Sequence, residues 1–294
     1  MNINILRKEF DELRNAPDLF DGHNFRARKE ALDFVKVVST LRTVTGEDYD
    51  ALKRDALAFG ERLSSFNAEV AQSFLLRFRE EKPSGDVFRK CLEPYTGYVA
   101  RDWGKPHYGY ESLDFLLDGV LLPEPHPQAD LKPEYGMVRY EPTPASVILE
   151  LTERVSLTEQ DVFFDLGSGL GKVTMLVNLL TSSGVVGVEY QSSFCAYAEE
   201  QAASLGLERI RYLNADARDV GFGSATVFFF FNPFGGLIFD DVLGKLEREA
   251  KGRELILCSY GSASQPLSEL TWLEELSPLR SGEMALAIFR SLKT

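Results

Sequence analysis

The chain has 294 residues, 44% of them hydrophobic and 26% charged, with a formal net charge of −13. Those figures describe an ordinary globular chain with material for a sizeable core, long enough for one large domain or two smaller ones. They argue against a protein that coats nucleic acid or an anionic membrane, since both call for clustered Lys and Arg. The densest basic cluster, Arg77, Arg79, Lys82, Arg89 and Lys90, reads as a solvated helix end and loop. Cys91, Cys195 and Cys258 stand far apart without a CxxC pair, which excludes a disulfide framework and a cysteine zinc site. The opening, MNINILRKEFDELR, lacks the apolar centre of a signal peptide, and no apolar run reaches the length of a membrane span. A cytoplasmic location is expected.

Residues 1–120 show helical periodicity and almost no strand-like runs. Thr45, with Asp48 three residues on, has the form of a capping box. After it Tyr49, Leu52, Ala56, Phe59, Leu63, Phe66, Val70 and Phe74 recur three and four apart, an apolar stripe on one long helix. Two partners suit that stripe: the apolar face of residues 31–41, or a second copy of the chain through helix 45–79. A helical N-terminal domain is expected over 1–120.

Residues 121–145 hold six of the chain's 13 prolines and read as a connecting loop. A loop of that length inside a compact protein is often functional. Thr143 is placed to cap the helix that follows, with Pro144 in its first turn.

From 146 to 294 the pattern alternates. Short apolar runs at 162–165, 185–190, 210–213, 226–231 and 254–260 lack polar alternation, as strands covered on both faces do. Helix-compatible stretches at 172–181, 192–205, 237–250 and 262–270 separate them, so a doubly wound parallel sheet is predicted. Two last runs, 270–276 and 283–291, form an antiparallel hairpin at the sheet edge.

The run DVFFDLGSGLGKVTML (161–176) leaves the first strand through Gly167, Gly169 and Gly171. Three glycines in one turn imply a sharp bend or a close approach by a ligand, beyond the carboxyl ends of the strands. Nicotinamide and flavin enzymes place G-x-G-x-x-G there, but their third glycine would fall on Lys172. Asp165 would also lie close to a pyrophosphate, whereas a ligand carrying an ammonium group would welcome it. Glu189, 24 residues on, can accept from both hydroxyls of a ribose. Asp216 of NADA (214–217) can accept from an adenine amino group, and the Ala217 backbone can address the ring. FFFFNPFGG then puts Asn232, Pro233 and Phe234 at the end of the fourth strand. One ligand site explains four polar groups at four strand ends.

With those residues, segment 140–290 resembles a class I S-adenosylmethionine-dependent methyltransferase. The resemblance implies an α/β, Rossmann-like sheet with an antiparallel edge hairpin and S-adenosylmethionine as cofactor. It implies that Asp165, Gly167, Ser168, Gly169 and Gly171 pass the methionine part, that Glu189 holds the ribose, and that Asp216 with Ala217 holds the adenine. YEPT (140–143), DLGSGLGKV and FNPFG together are similar to the non-SET histone-lysine methyltransferase family and its bacterial relatives. In that family a tyrosine and a threonine close over the cofactor, which falls here on Tyr140 and Thr143. Pro233 stands where the family has a second asparagine, and the basic nucleosome-binding segment of its eukaryotic members is missing.

Methyl transfer from a sulfonium needs alignment rather than a metal or a covalent nucleophile. Asn232 is expected to direct an acceptor nitrogen through its side-chain carbonyl, Pro233 to remove a competing donor, and Phe234 to form a wall. The acceptor expected is a nitrogen of a protein side chain or small molecule, not nucleic acid or membrane. An inert cofactor-binding scaffold is the alternative. His107, with Tyr108 and Tyr110, is a candidate lid.

Overall fold

The computed structural model describes residues 2–41, 45–96, 112–276 and 284–292. They sort into two compact units: one gathers 2–82, 90–96 and 112–120, the other 83–89 and 121–292. Among them no helix is long and apolar enough to cross a membrane.

The first unit is helical. Its helices are α1 (Ile3–Arg14), α2 (Phe25–Thr40), α3 (Glu47–Glu81), most of α4 (Gly85–Thr96) and α5 (Ser112–Leu121). Asn2 and Asn24 cap α1 and α2, each accepting from a backbone N–H of the first turn. Helix α3 begins differently from expectation. Its N-cap is Gly46 at φ +123°, not Thr45, and no side chain caps it. Glu47, Asp48 and Asp50 fill its first turn, where the helix dipole favours negative charge. The start of the stripe on α3 is used within the chain: Tyr49, Leu52 and Ala56 pack with Phe34, Val35 and Val38 of α2 and with Leu6 and Phe10 of α1. The fully buried Arg28 sits in the same unit, donating to Asn67 Oδ1 and to the carbonyls of Leu19, Asp21 and Gly22.

The second unit is a seven-stranded sheet: β1 (Val162–Leu166), β2 (Gly184–Glu189), β3 (Ile210–Asn214), β4 (Val227–Phe231), β5 (Ile256–Tyr260), β6 (Leu273–Glu275) and β7 (Ala287–Ser291). Strand order is β3-β2-β1-β4-β5-β7-β6. The first five run parallel, and β7 lies antiparallel between β5 and β6. The turn expected at 277–282 lies outside the described residues. Five helices complete the unit: α6 (Ala145–Arg154), α7 (Lys172–Leu180), α8 (Ser192–Ser204), α9 (Gly236–Ala250) and the short α10 (Ser264–Ser268).

The strands are apolar throughout because both faces are covered. Phe228, Phe229 and Phe230 are all fully buried although successive residues point to opposite faces. Phe164, Phe222 and Phe228 cluster on one face with ring centroids 5.2 to 6.1 Å apart, while Phe163 and Phe229 stack on the other at 6.4 Å.

Two readings from the sequence are corrected here. Thr143 does not cap α6: the N-cap is Pro144 in extended conformation, and Thr143 is buried one residue before it. Arg89 is no solvated cation either. It lies in the sheet unit, where it donates to Glu153 at 2.7 Å and to the Thr152 hydroxyl at 2.6 Å.

The sheet order decides where a ligand belongs. From β1 the chain winds outward through β2 and β3, and from β4 it winds the other way. A crevice therefore opens between the carboxyl ends of β1 and β4.

Candidate active site

Both sides of that crevice are glycine- or proline-rich turns. After β1 the backbone takes φ of +85°, +54° and +88° at Gly167, Gly169 and Gly171. A β-carbon on Gly169 would stand 2.3 Å from the Tyr140 ring, and one on Gly167 would stand 2.5 Å from Pro233 Cβ. The turn is thus gripped between the proline-rich segment and the end of β4. Gly171 serves another purpose. It starts α7, and a β-carbon there would meet the Tyr212 hydroxyl at 2.6 Å and Ala198 at 2.8 Å.

Glu189 ends β2 and is buried. Its Oε2 accepts from Gly169 N–H and its Oε1 from Gln191 N–H, both at 2.8 Å. A carboxylate has about four acceptor sites, so capacity remains for two hydroxyls. Burial raises the Glu189 pKa above the usual carboxylate range, against the pull of those backbone donors. Asp165, one strand over, is buried and pushed up to about 8, first by burial and then by the Glu189 charge. Its Oδ2 and the Ser168 hydroxyl have no hydrogen-bond partner among the described residues.

Asp216 is held differently. Its Oδ1 accepts from the backbone N–H and Nε of Arg218, and its Oδ2 from Arg218 NH2 at 2.6 Å. The Arg218 side chain, with its backbone N–H, holds this carboxyl below its ordinary value.

At the end of β4, Asn232 adopts φ +44°, uncommon for a residue with a side chain. Its Oδ1 accepts from both the N–H and the hydroxyl of Ser262, each at 2.7 Å. That differs from the expectation that this oxygen directs an acceptor: two donors already engage it. Beyond it Phe234 forms an antiparallel bridge with Met137, and Gly235 N–H donates to Gly136 O at 2.7 Å. The proline-rich segment is therefore a strap stitched to the β4 turn.

Together these walls enclose a cavity of about 520 Å³, a size suited to a small-molecule ligand. Tyr140, Gly167, Gly169, Glu189, Asp216, Ala217, Asn232, Pro233 and Phe234 line it. Thr143, Asp165, Ser168 and Gly171 do not; the first three are buried near it. The sequence reading missed most of the strap wall, including Pro127, Gln128, Met137 and Val138, and also Gln191 and Ile238. Its signal was the proline density, which marks a segment without saying what it covers. The candidate lid around His107 lies outside the described residues, and no histidine among the described residues lines the cavity.

The family model described as "Histone methylation protein DOT1" matches residues 133–226, under half of the chain. No curated protein matches the sequence. Among solved structures the chain is similar to an RNA methyltransferase from Salinibacter ruber in complex with S-adenosyl-L-homocysteine. The two share 19% identity over 51% of this chain and 92% of that one, at a TM-score of 0.41. It is also similar to a ribosomal protein L11 methylase from Lactobacillus delbrueckii subsp. bulgaricus, at 18% identity over 50% and 77% of the chains and a TM-score of 0.39. A precorrin-6y C5,15-methyltransferase from Geobacter metallireducens gives 13% identity over 54% and 94%, with a TM-score of 0.39. The sheet order, the glycine turn and the family match support a class I S-adenosylmethionine-dependent methyltransferase.

The site fits that cofactor on its own chemistry. The cavity has the volume, Glu189 and Asp216 line it with carboxylates that can accept from hydroxyl and amino groups, and the buried Asp165 oxygen beneath its glycine turn has no partner among the described residues.

Proposed function

We propose that the chain methylates a nitrogen of a protein side chain or of a cationic small molecule. One observation carries this reading: of the charged side chains lining the cavity, Glu141, Glu189 and Asp216 are acids and Arg139 is a base. Arg218 compensates Asp216 from outside the wall, so the acidic excess rests on Glu189, Glu141 and the net charge of −13 behind them, which favour an amine over a phosphate or a carboxylate.

In this reading Glu189 accepts from the ribose hydroxyls, and Asp216 with the Ala217 N–H addresses the adenine. Gly167 and Gly169 pass the methionine part, with Asp165 and Ser168 beneath them. Tyr140 covers the turn, and Thr143 supports it from its buried position. Bound S-adenosylmethionine supplies a methyl group already activated by its sulfonium. The protein's share is to exclude water and to hold the acceptor nitrogen in line. Pro233 brings no N–H to compete for that nitrogen's lone pair. With the Asn232 oxygen engaged by Ser262, the acceptors left to this turn for the amine N–H are backbone carbonyls. Phe234 forms the apolar wall beside them. Attack needs a neutral amine, so the rate is expected to rise with pH until the acceptor is deprotonated.

The test is transfer from methyl-labelled S-adenosylmethionine to a panel of amines and to protein extracts, followed by mild alkali. Label that survives and co-elutes with N-methylated standards supports the reading. Label released by alkali means a carboxyl ester and sinks it.

A further inference from the structure

Ser192, Ser193 and Tyr197 of α8 bond the strap at Asp130, Gln128 and Pro123, and two further side chains that tie it to the sheet stand in one relation to two acids. Gln191 lies two residues after Glu189, and Arg218 lies two residues after Asp216. In each pair the later residue donates its backbone N–H to the earlier carboxylate at 2.8 Å. In each pair its side chain then reaches the strap. The Gln191 amide accepts from Asp130 N–H at 3.0 Å and Leu131 N–H at 2.7 Å, and donates to Leu131 O at 3.0 Å. The Arg218 guanidinium donates to Glu134 at 2.8 Å while gripping both Asp216 oxygens. Arg218 is itself steadied from behind, because Lys245 of α9 donates to its carbonyl at 2.6 Å.

We propose that Gln191 and Arg218 are paired positioning residues that fasten the strap across the cofactor cavity, with Arg218 also orienting the Asp216 carboxylate. The inference rests on the reading of Asp216 as the acceptor for the adenine amino group. Its physical content is a coupling. The groups that shape the two acids are also among the groups that hold the strap closed, so breaking either side-chain tie loosens the strap over the ligand. Gln191 makes a neutral tie that salt leaves in place, whereas Arg218 makes a charged one that salt screens. The fork of Arg218 matters as well as its charge, since one guanidinium spans two carboxylates.

The experiment follows S-adenosylhomocysteine, and its analogue with hypoxanthine in place of adenine, by stopped-flow binding. Wild type is compared with Gln191→Ala, Glu134→Gln, Arg218→Met and Arg218→Lys, each first checked for an unchanged melting midpoint without ligand. Gln191→Ala and Glu134→Gln are expected to speed dissociation of both ligands about tenfold, leaving the preference for adenine unchanged. Arg218→Met is expected to speed dissociation and also to erase about tenfold of that preference. Arg218→Lys recovers the dissociation rate better than the preference. A purely structural role would move neither the adenine preference nor its separation from the off-rate.

Strap variants that release ligand within twofold of wild type overturn the fastening, and an Arg218→Met variant that keeps the preference overturns the orienting role. Wild-type protein that binds neither ligand overturns the cofactor reading itself, and this inference with it. Glu134→Gln alters a half-exposed side chain outside the cavity wall, so it isolates the tie even where Arg218→Met fails to fold.

Discussion

Each unit buries an ionisable side chain almost completely, and the two are treated in opposite ways. In the helical unit Arg28 has no exposed surface, yet its guanidinium donates to four acceptors and lies over the rings of Phe25 and Phe66. In the sheet unit Asp165 is nearly as buried, faces another acid, and leaves an oxygen without a partner. A buried charge whose hydrogen bonds are complete holds a fold together. One left incomplete is a cost that the fold alone does not recover, and in the reading proposed above a ligand completes the set.

Four outcomes test that contrast. Arg28→Met strips the hydrogen-bond donor from four acceptors and is expected to destabilise the chain by about 3–5 kcal/mol in denaturant unfolding. Cofactor affinity below the transition should stay within twofold of wild type; a large loss of affinity would erase the distinction between the two buried ionisable groups. Glu189→Ala should do the reverse. Calorimetric titration with S-adenosylmethionine is expected to weaken at least about a hundredfold, near 3 kcal/mol, with melting of the free protein little changed. Retained micromolar binding would remove Glu189 from the site.

The third outcome concerns Asp165 and pH. Its folded value of about 8 stands above the roughly 3.9 of an unfolded aspartate, so the folded chain keeps the proton longer. Stability of the free protein must then fall as pH rises between those two values. Asp165→Asn lacks this penalty and should gain on the order of 3–4 kcal/mol over wild type at pH 8 relative to pH 5. Parallel pH profiles for the two proteins would mean that Asp165 is ionised and satisfied in the fold. The smallest effect is expected from Ser262→Ala, which removes the hydroxyl, one of the two donors to the Asn232 oxygen, and loosens the β4 turn. A loss of about fivefold in kcat/KM, near 1 kcal/mol, would fit a supporting pin. A gain in activity would instead restore the Asn232 carbonyl to the acceptor.

Much of the sheet unit was legible in the sequence because its strands are covered on both faces. Continuous runs such as VFFFF can only be strands of that kind or short buried helix segments, and the glycines and prolines around them settle which. The acids at the strand ends were legible through their spacing from those runs. The helix starts were less so. At both Thr45 and Thr143 the cap lies one residue later, on a glycine or a proline. Neither offers a side-chain acceptor, so a pattern built on capping side chains passes over them. The apolar stripe of α3 was visible as a stripe, but its partner was not, since α2 and a second chain present the same kind of surface.

From the order of residues alone follow the alternation of strand and helix, the glycine turn, and the three acids at the ends of β1, β2 and the segment after β3. These are local consequences of burial and backbone conformation, which neighbouring residues decide among themselves. Tertiary structure decided what each polar atom meets. It gave the Asn232 oxygen to Ser262, thirty residues on, left the Asp165 oxygen without a partner, and set Gln191 and Arg218 against the strap. A hydrogen bond between distant residues depends on where the sheet order brings them, and no local pattern encodes that meeting.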